Sequence, residues 1–300
     1  MPCLLWASCP CQAGLMSTAE EECLPDALRA DRAPFVCKQI YDAADWYDVD
    51  YAAYRGEVAF YRLMIERHLQ GRDLVELGAG TGRLSFPLRQ VMDAGCVLHA
   101  VEPSQQMRQR LLSKRDQAKI DHRQLKVEDG IAGSFVGPSQ PIGLVIFAFN
   151  GLLHLTTRTE LSESFRHIFE RLDDDGAFAF DLTPPYWQTM LRGRVPWGRI
   201  DERVHPGSGR VFLTCDRSRY EPATRTTHID IRYAYRDALE GDVGVQIALC
   251  QHMWTCPEIL QATVDAGFVI DSCFGDVDLS AFTEGSPRLL VGATKGSTSM

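Results

Sequence analysis

The chain has 300 residues, of which 31 are Lys or Arg and 40 are Asp or Glu, giving a formal net charge of −9. That length allows one large domain, or a domain carrying a sizeable insertion, with a substantial buried core. The acidic balance argues against general affinity for nucleic-acid backbones, which needs a basic footprint. With no run of about 18 apolar residues, no membrane span is expected.

Ten cysteines are present, none in a C-x-x-C pair. Cys9 and Cys11 are too close together and have no second pair nearby, and Cys96, Cys215, Cys250 and Cys273 lie in apolar runs, where cysteine acts as a small hydrophobe. Reduced, inert thiols in a cytoplasmic protein are expected, and no metal site. Residues 1–15 have no Lys or Arg and no long apolar stretch, and Met16 with "STAEEE" reads like a second start. A dispensable, disordered leader is expected there rather than a secretory signal.

In chain order, residues 17–35 are polar and mixed, so residues 1–35 are expected to form a mobile N-terminal extension. Residues 36–71 read as a helical cover. The aromatic-rich "IYDAADWYDVDYAAY" (40–54) leads into a helix with Tyr54, Val58, Tyr61, Ile65 and Leu69 on one face, ended by Gly71. Strands then alternate with helices. "DLVELG" (73–78) is a strand, followed by a helix over 83–93 that Pro87 would kink. "CVLHAVE" (96–102) is the second strand, a helix starts at Ser104, and "HRQLKVED" (122–129) is the third strand. The unbroken apolar run "IGLVIFAF" (142–149) fits a central strand covered on both faces. A helix with Leu161, Phe165, Ile168, Phe169 and Leu172 on one face follows, opened by a Thr157/Glu160 capping box, and "GAFAFDL" (176–182) is the fifth strand. This alternation predicts an α/β doubly wound parallel sheet.

After Pro184 and Pro185 the period changes to about two, in "IDERVH", "RVFLTCD", "THIDIRYAYR" and "VGVQIALCQHMW". An antiparallel β layer inserted between parallel strands is predicted. His205, His228 and His252 fall in this layer without metal-ligand spacing. A helix over 255–267 with a Thr255/Glu258 capping box and two strands, 268–274 and 288–295, complete the chain.

The stretch "VELGAGTGR" (75–83) places Gly78, Gly80 and Gly82 at a strand-to-helix turn. Glycine there permits a sharp turn and lets a ligand approach the backbone. Arg83 replaces the third glycine of the dinucleotide fingerprint G-x-G-x-x-G, and the G-K-[ST] of a P-loop is missing. Glu76 is unfavourable beside a pyrophosphate and favourable beside a cation. S-adenosylmethionine, with its ammonium, sulfonium, ribose and adenine, fits better. Glu102 at the end of the second strand is placed to accept from two ribose hydroxyls, as an acid does in NAD sites, so alone it does not discriminate. Asp129, in "VEDG", can accept from the adenine amino group.

With these residues in view, "DLVELGAGTGRLSFPL", "VEPSQQM", "VEDG", "FAFNGLLHL" and "GAFAFDL" resemble successive motifs of the class I S-adenosylmethionine-dependent methyltransferases, most closely their bacterial small-molecule branch. The resemblance covers residues 40–295. It implies a Rossmann-like methyltransferase fold, a seven-stranded doubly wound sheet of order 3-2-1-4-5-7-6 with strand 7 antiparallel. The core would comprise residues 72–183 and 268–295, and residues 184–267, the antiparallel insert and its helix, would shape the acceptor pocket together with "PPYW" (184–187). Glu76 and the turn of Gly78, Ala79 and Gly80 would hold the methionine part and Glu102 the ribose. Met107 would flank adenine, although its helical spacing from Leu111 reads equally as core. Glu128 and Asp129 would lie at the adenine end, Asp129 on its amino group. Phe149 and Asn150 would border the methionine tail and the reaction site, with Asn150 alternatively a mere turn cap.

The N-terminal "YD…YD" region resembles that branch's mobile cover. Among Tyr41, Trp46, Tyr47, Tyr51 and Tyr54, at least one, with Tyr41 and Tyr47 foremost, would cover the sulfonium by cation–π contact worth about 0.5–2 kcal/mol. The expected reaction is methyl transfer to N, O or C of a small-molecule acceptor by a monomer or homodimer that binds neither nucleic acid nor membrane. His154 is the candidate base, or else a structural histidine. Two other readings use the same site: a cyclase that turns the cofactor into azetidine-2-carboxylate and methylthioadenosine, with Asn150 orienting the amine, and a non-catalytic adenosyl-ligand-binding protein. Arg83 disfavours an NAD oxidoreductase.

Overall fold

The computed structural model describes residues 23–30, 34–185, 193–198 and 200–295. In chain order its main elements are β1 (Phe35–Gln39), α1 (Ala44–Tyr51), α2 (Val58–His68), β2 (Asp73–Leu77), α3 (Ser85–Arg89), β3 (Leu98–Val101), α4 (Gln105–Gln117), β4 (Leu125–Glu128), β5 (Ile142–Phe147), α5 (Arg158–Arg171) and β6 (Leu172–Leu182). They continue with β7 (Arg194–Val195), β8 (Asp201–Val204), β9 (Val211–Glu221), β10 (Thr226–Tyr235), β11 (Gly244–His252), α6 (Cys256–Asp265), β12 (Phe268–Phe274) and β13 (Leu289–Lys295). The chain divides into two units, Ala44–Pro185 with Met253–Met300, and Met1–Ala43 with Tyr186–His252.

The larger unit is built on a seven-stranded sheet of order β4-β3-β2-β5-β6-β13-β12. All neighbours are parallel except β13, which runs antiparallel to both β6 and β12. The apolar run of β5 is buried along its whole length, as a strand covered on both faces must be. Because successive strand residues point to opposite faces, Leu144 and Ile146 join Leu74, Phe60, Met64, Leu88 and Leu111 in one apolar cluster. Val145 and Phe147 join Val75, Phe165, Ile168, Phe178 and Phe180 in the other. Helices α2, α3 and α4 thus cover one face, and α5 and α6 the other. Both capping boxes form, Thr157 with Glu160 and Thr255 with Glu258.

Some expected boundaries move. Helix α3 is only Ser85–Arg89. Pro87 lies in its first turn, where no amide donor is needed, so it does not kink the helix. Arg89 then donates to the carbonyls of Met92 (3.2 Å) and Asp93 (3.1 Å), which closes the chain beyond it. Strand β6 begins at Leu172, directly after α5, where Arg72 bridges to Asp173 at 3.1 Å. Helix α6, expected to belong with the insert, packs on the core sheet because Ile259 and Leu260 join the cluster of Phe165 and Phe268.

The smaller unit is a six-stranded sheet, β1-β11-β10-β9-β7 with β8 also on β9, antiparallel except for the parallel β1–β11 pair. Its core contains Leu24, Leu28, Trp197, Leu213, Cys215 and Ala234. Arg232 is 2% exposed. Its Nε donates to Gln246 Oε1 at 2.9 Å and its Nη1 to the Leu28 carbonyl at 2.9 Å. Its guanidinium lies 4.3 Å from the Trp197 ring centre, the stacked and forked contact that arginine makes and lysine does not.

Two expectations are corrected here. Residues 23–30 are not loose: Leu24 and Leu28 are buried, with a 3-10 turn at Asp26–Leu28. Residues 36–39 are not the start of a helical cover but belong to strand β1. Both are anchored by residues about two hundred positions away, which local periodicity does not reveal. The leader over 1–15, together with Tyr186 and Trp187 of the "PPYW" stretch, lies outside the described residues.

Candidate active site

The larger unit brings the C-terminal ends of β2, β3, β5 and β6 to one edge of its sheet. After β2 the chain turns through Gly78, Gly80 and Gly82, whose φ angles are 65°, 58° and 85°. At Gly82 a β-carbon would sit 2.6 Å from the Phe86 ring and 3.0 Å from Leu111, so only glycine fits. At Gly80 the nearest neighbour of such a carbon is the Tyr47 ring at 3.9 Å. The turn is therefore roofed above Gly80 by Tyr47 from α1, within van der Waals contact range.

Glu102 follows β3 and is 3% exposed. Its Oε2 accepts from the Gly80 N–H and its Oε1 from the Ser104 N–H, both at 2.8 Å. Burial raises its carboxyl and the two amides oppose the shift. Each carboxylate oxygen retains a second acceptor position. Glu76 is 2% exposed and accepts from Ser85 Oγ at 2.6 Å. Burial lifts its carboxyl to about 7, against the lowering effects of Ser85 and Arg83. The folded value lies above the ordinary 4.5, so between the two the native state binds the extra proton. This contribution to stability is complete below about 4.5 and is lost as the pH rises through about 7, about 3 kcal/mol at most. Urea midpoints of the ligand-free protein are expected to fall more steeply across this range than those of Glu76→Gln; parallel curves would contradict the assignment.

Phe149 and Asn150, just after β5, both adopt left-handed φ angles, 55° and 62°. The strain of two such residues persists only where neighbours enforce it. The Phe149 N–H donates to Asp181 Oδ1 at 2.7 Å, and Asn150 Oδ1 accepts from the Thr183 N–H at 2.6 Å. His154 ends the 3-10 turn Gly151–His154 and is half-buried. Met107 is buried in the first turn of α4, its N–H on the Ser104 side-chain cap at 3.2 Å. Glu128 pairs with His99 Nδ1 at 2.8 Å, and that ring in turn meets Asp73 at 3.3 Å. Asp129 is largely exposed and accepts from Arg108 at 2.8 Å. Of the aromatic cover, Tyr47, Tyr51 and Phe149 form a chain with ring centres 5.0 and 5.2 Å apart, and Tyr54 lies 5.6 Å from Phe149. Tyr41 lies in a 3-10 turn of the smaller unit.

Behind Phe149 lies a buried network that sequence reasoning missed. Arg83 pairs with Glu57 and stacks 4.2 Å from the Phe149 ring centre. Asp181, at the end of β6, accepts from the Tyr61 hydroxyl at 2.6 Å, the Phe149 N–H and Arg288. Arg288 also donates to the Tyr54 hydroxyl at 3.2 Å. Glu57 and Asp181 are fully buried, and Glu57 Oε2, Arg83 Nε and Arg288 Nε have no hydrogen-bond partner among the described residues. The available signal was a charged residue abutting an apolar run, in "GEVAFY", "FDL" and "PRLLV".

The donor set suits a small cationic nucleoside: two buried carboxylates flank a glycine turn under an aromatic ring. Polyphosphate would meet those carboxylates. Among the described residues, no group of three or more His, Cys, Asp or Glu is arranged to hold a metal ion, and no helix is long and apolar enough to cross a membrane.

No family model matches the sequence, and no curated protein matches it. The chain is similar in structure to the CcbJ methyltransferase of Streptomyces caelestis, at 21% identity and a TM-score of 0.66, covering 81% of this chain and 96% of that one. It is similar to S-adenosylmethionine-bound CalS10, an amino pentose methyltransferase from Micromonospora echinaspora (18%, 0.61, covering 86% and 97%). It is also similar to the sugar N-methyltransferase KedS8 from Streptoalloteichus sp. ATCC 53650 (19%, 0.63, covering 83% and 92%). The fold is that of the class I, Rossmann-like S-adenosylmethionine-dependent methyltransferases.

Proposed function

We propose that the protein is an S-adenosylmethionine-dependent methyltransferase acting on a small molecule, with an amine as the favoured nucleophile. The observation that carries this reading is the buried Glu102 carboxylate, held against Gly80 in a glycine turn roofed by Tyr47. An amino pentose methyltransferase and a sugar N-methyltransferase with this fold support the choice of acceptor.

When bound, the cofactor supplies an electrophilic methyl group on a sulfonium. Glu102 accepts from the ribose hydroxyls with the lone pairs its amide partners leave. Glu76 and the turn of Gly78, Ala79 and Gly80 face the amino-acid end, where ionised Glu76 offsets an ammonium. Tyr47 closes the cleft and turns an aromatic face to positive charge, an interaction of about 0.5–2 kcal/mol. Met107 lines the adenine side, with Asp129 at the ring's amino group once it parts from Arg108. Phe149 and Asn150, fixed by Asp181 and Thr183, border the place where donor and acceptor meet. Alignment in a site with little water supplies most of the acceleration, about 7–11 kcal/mol. An amine needs only to arrive neutral; a hydroxyl acceptor would need a base, and His154 is the residue proposed for it.

No observation favours cyclisation of the cofactor. Incubating the protein with S-adenosylmethionine alone and resolving nucleosides by mass separates the reactions. No methylthioadenosine is expected without an acceptor, and adenosylhomocysteine is expected when amino sugars are added. Methylthioadenosine formed without an acceptor would overturn methyl transfer.

A further inference from the structure

The geometry points to Asp48 as a positioning residue that holds Tyr47 over the glycine turn and so sets how fast the cofactor and its product leave; this rests on the proposed adenosyl-sulfonium site. Helix α1 has eight residues, of which only Ala44 is buried. So short a helix with so little apolar burial does not hold itself in place. Beside the Tyr51–Phe149 ring contact, what ties it down is a polar latch. Asp48 follows Tyr47 in the chain, and its side chain is 9% exposed. Its Oδ1 accepts from Thr81 Oγ1 at 2.6 Å and from Lys114 Nζ at 2.5 Å, and its Oδ2 from Arg110 Nε at 2.8 Å. Lys114 also reaches Thr81 Oγ1 at 3.1 Å and the Thr81 carbonyl at 3.3 Å.

Thr81 is fully buried and stands between Gly80 and Gly82. One carboxylate thus joins three parts: the cover helix, the turn that cradles the ligand, and α4, which begins beside Glu102. Burial lowers the Lys114 ammonium, and the hydrogen bond and charge of Asp48 oppose that shift. Loss of the Asp48 charge strands a half-buried lysine and releases α1, and with it the roof above Gly80. Contacts that close over a ligand after it binds show up chiefly in the dissociation rate.

The test uses the full chain and S-adenosylhomocysteine as the probe. Its dissociation rate is measured by stopped-flow displacement for the wild type, Asp48→Asn, Lys114→Met and the double variant, with circular dichroism to verify folding. Asp48→Asn is expected to release the probe about tenfold faster and to raise KM for S-adenosylmethionine by a similar factor without lowering kcat. Lys114→Met is expected to move the same way, and the double variant to be no faster than the faster single one. Folded variants with rates within twofold of wild type, or a double variant whose effects multiply, would overturn the latch. If Asp48→Asn does not fold, Lys114→Met and Arg110→Gln decide by the same rates. A wild type that binds neither S-adenosylmethionine nor S-adenosylhomocysteine overturns the cofactor reading and the latch with it, whereas tight wild-type binding with unaltered release in the variants overturns the latch alone.

Discussion

Replacing Asp181 with alanine is expected to destabilise the fold by about 3–5 kcal/mol, the range for removing one partner of a buried ion pair. Asp181 is completely buried at the end of β6 and receives Arg288, the Tyr61 hydroxyl and the Phe149 N–H. Without it, the mostly buried Arg288 guanidinium loses its ion-pair partner, and the buried Tyr61 hydroxyl and part-buried Phe149 N–H lose their acceptor, each at a cost of about 1–3 kcal/mol. These costs overlap, because the cavity relaxes once for all three. Tyr61 does not replace the lost charge, since burial pushes its hydroxyl well above the usual range. Asp181→Asn keeps an acceptor for Tyr61 and Phe149 and should lose roughly half as much. Urea unfolding at unchanged m-value measures both. An alanine variant with the wild-type midpoint would show that the network does not support the fold.

Glu102→Ala is expected to weaken S-adenosylhomocysteine binding by at least about a hundredfold. Two hydrogen bonds from ribose hydroxyls to a buried carboxylate are worth about 1.5–3 kcal/mol each, and each 1.4 kcal/mol is tenfold. Part of the loss comes through the turn, because Glu102 also anchors the amides of Gly80 and Ser104. Glu102→Gln separates the two contributions: its carbonyl oxygen still accepts from one amide, while the charge is gone. An intermediate affinity is expected for it. Wild-type affinity in the alanine variant would remove Glu102 from the site.

What was legible in the sequence is what is encoded locally. The glycine turn, the two capping boxes and the apolar run of β5 each lie within a few neighbouring residues, and each takes its form from short-range sterics or hydrogen bonds. The Asp181 network was not legible because its members meet only in the fold: Tyr61 and Asp181 are 120 positions apart, and Asp181 and Arg288 are 107 apart. Strand β1 escaped notice for the same reason, since its partner is β11. Glu128 and Asp129 show a different limit. A motif names neighbours at a strand end, but alternation sends their side chains different ways, one to His99 inside the sheet and one to Arg108 at the surface. In the sequence, Arg83 speaks only to what it excludes, a dinucleotide fingerprint. In the fold it joins Glu57 to the Phe149 ring.

The most direct test of the site is calorimetric titration of the full chain with S-adenosylmethionine, S-adenosylhomocysteine, NAD and ATP under identical conditions. Saturable heat at one site per chain is expected from the two adenosyl sulfur compounds and none from NAD or ATP. Saturable binding of NAD or ATP, with no heat from S-adenosylmethionine or S-adenosylhomocysteine, would contradict the assignment of the glycine turn and Glu102.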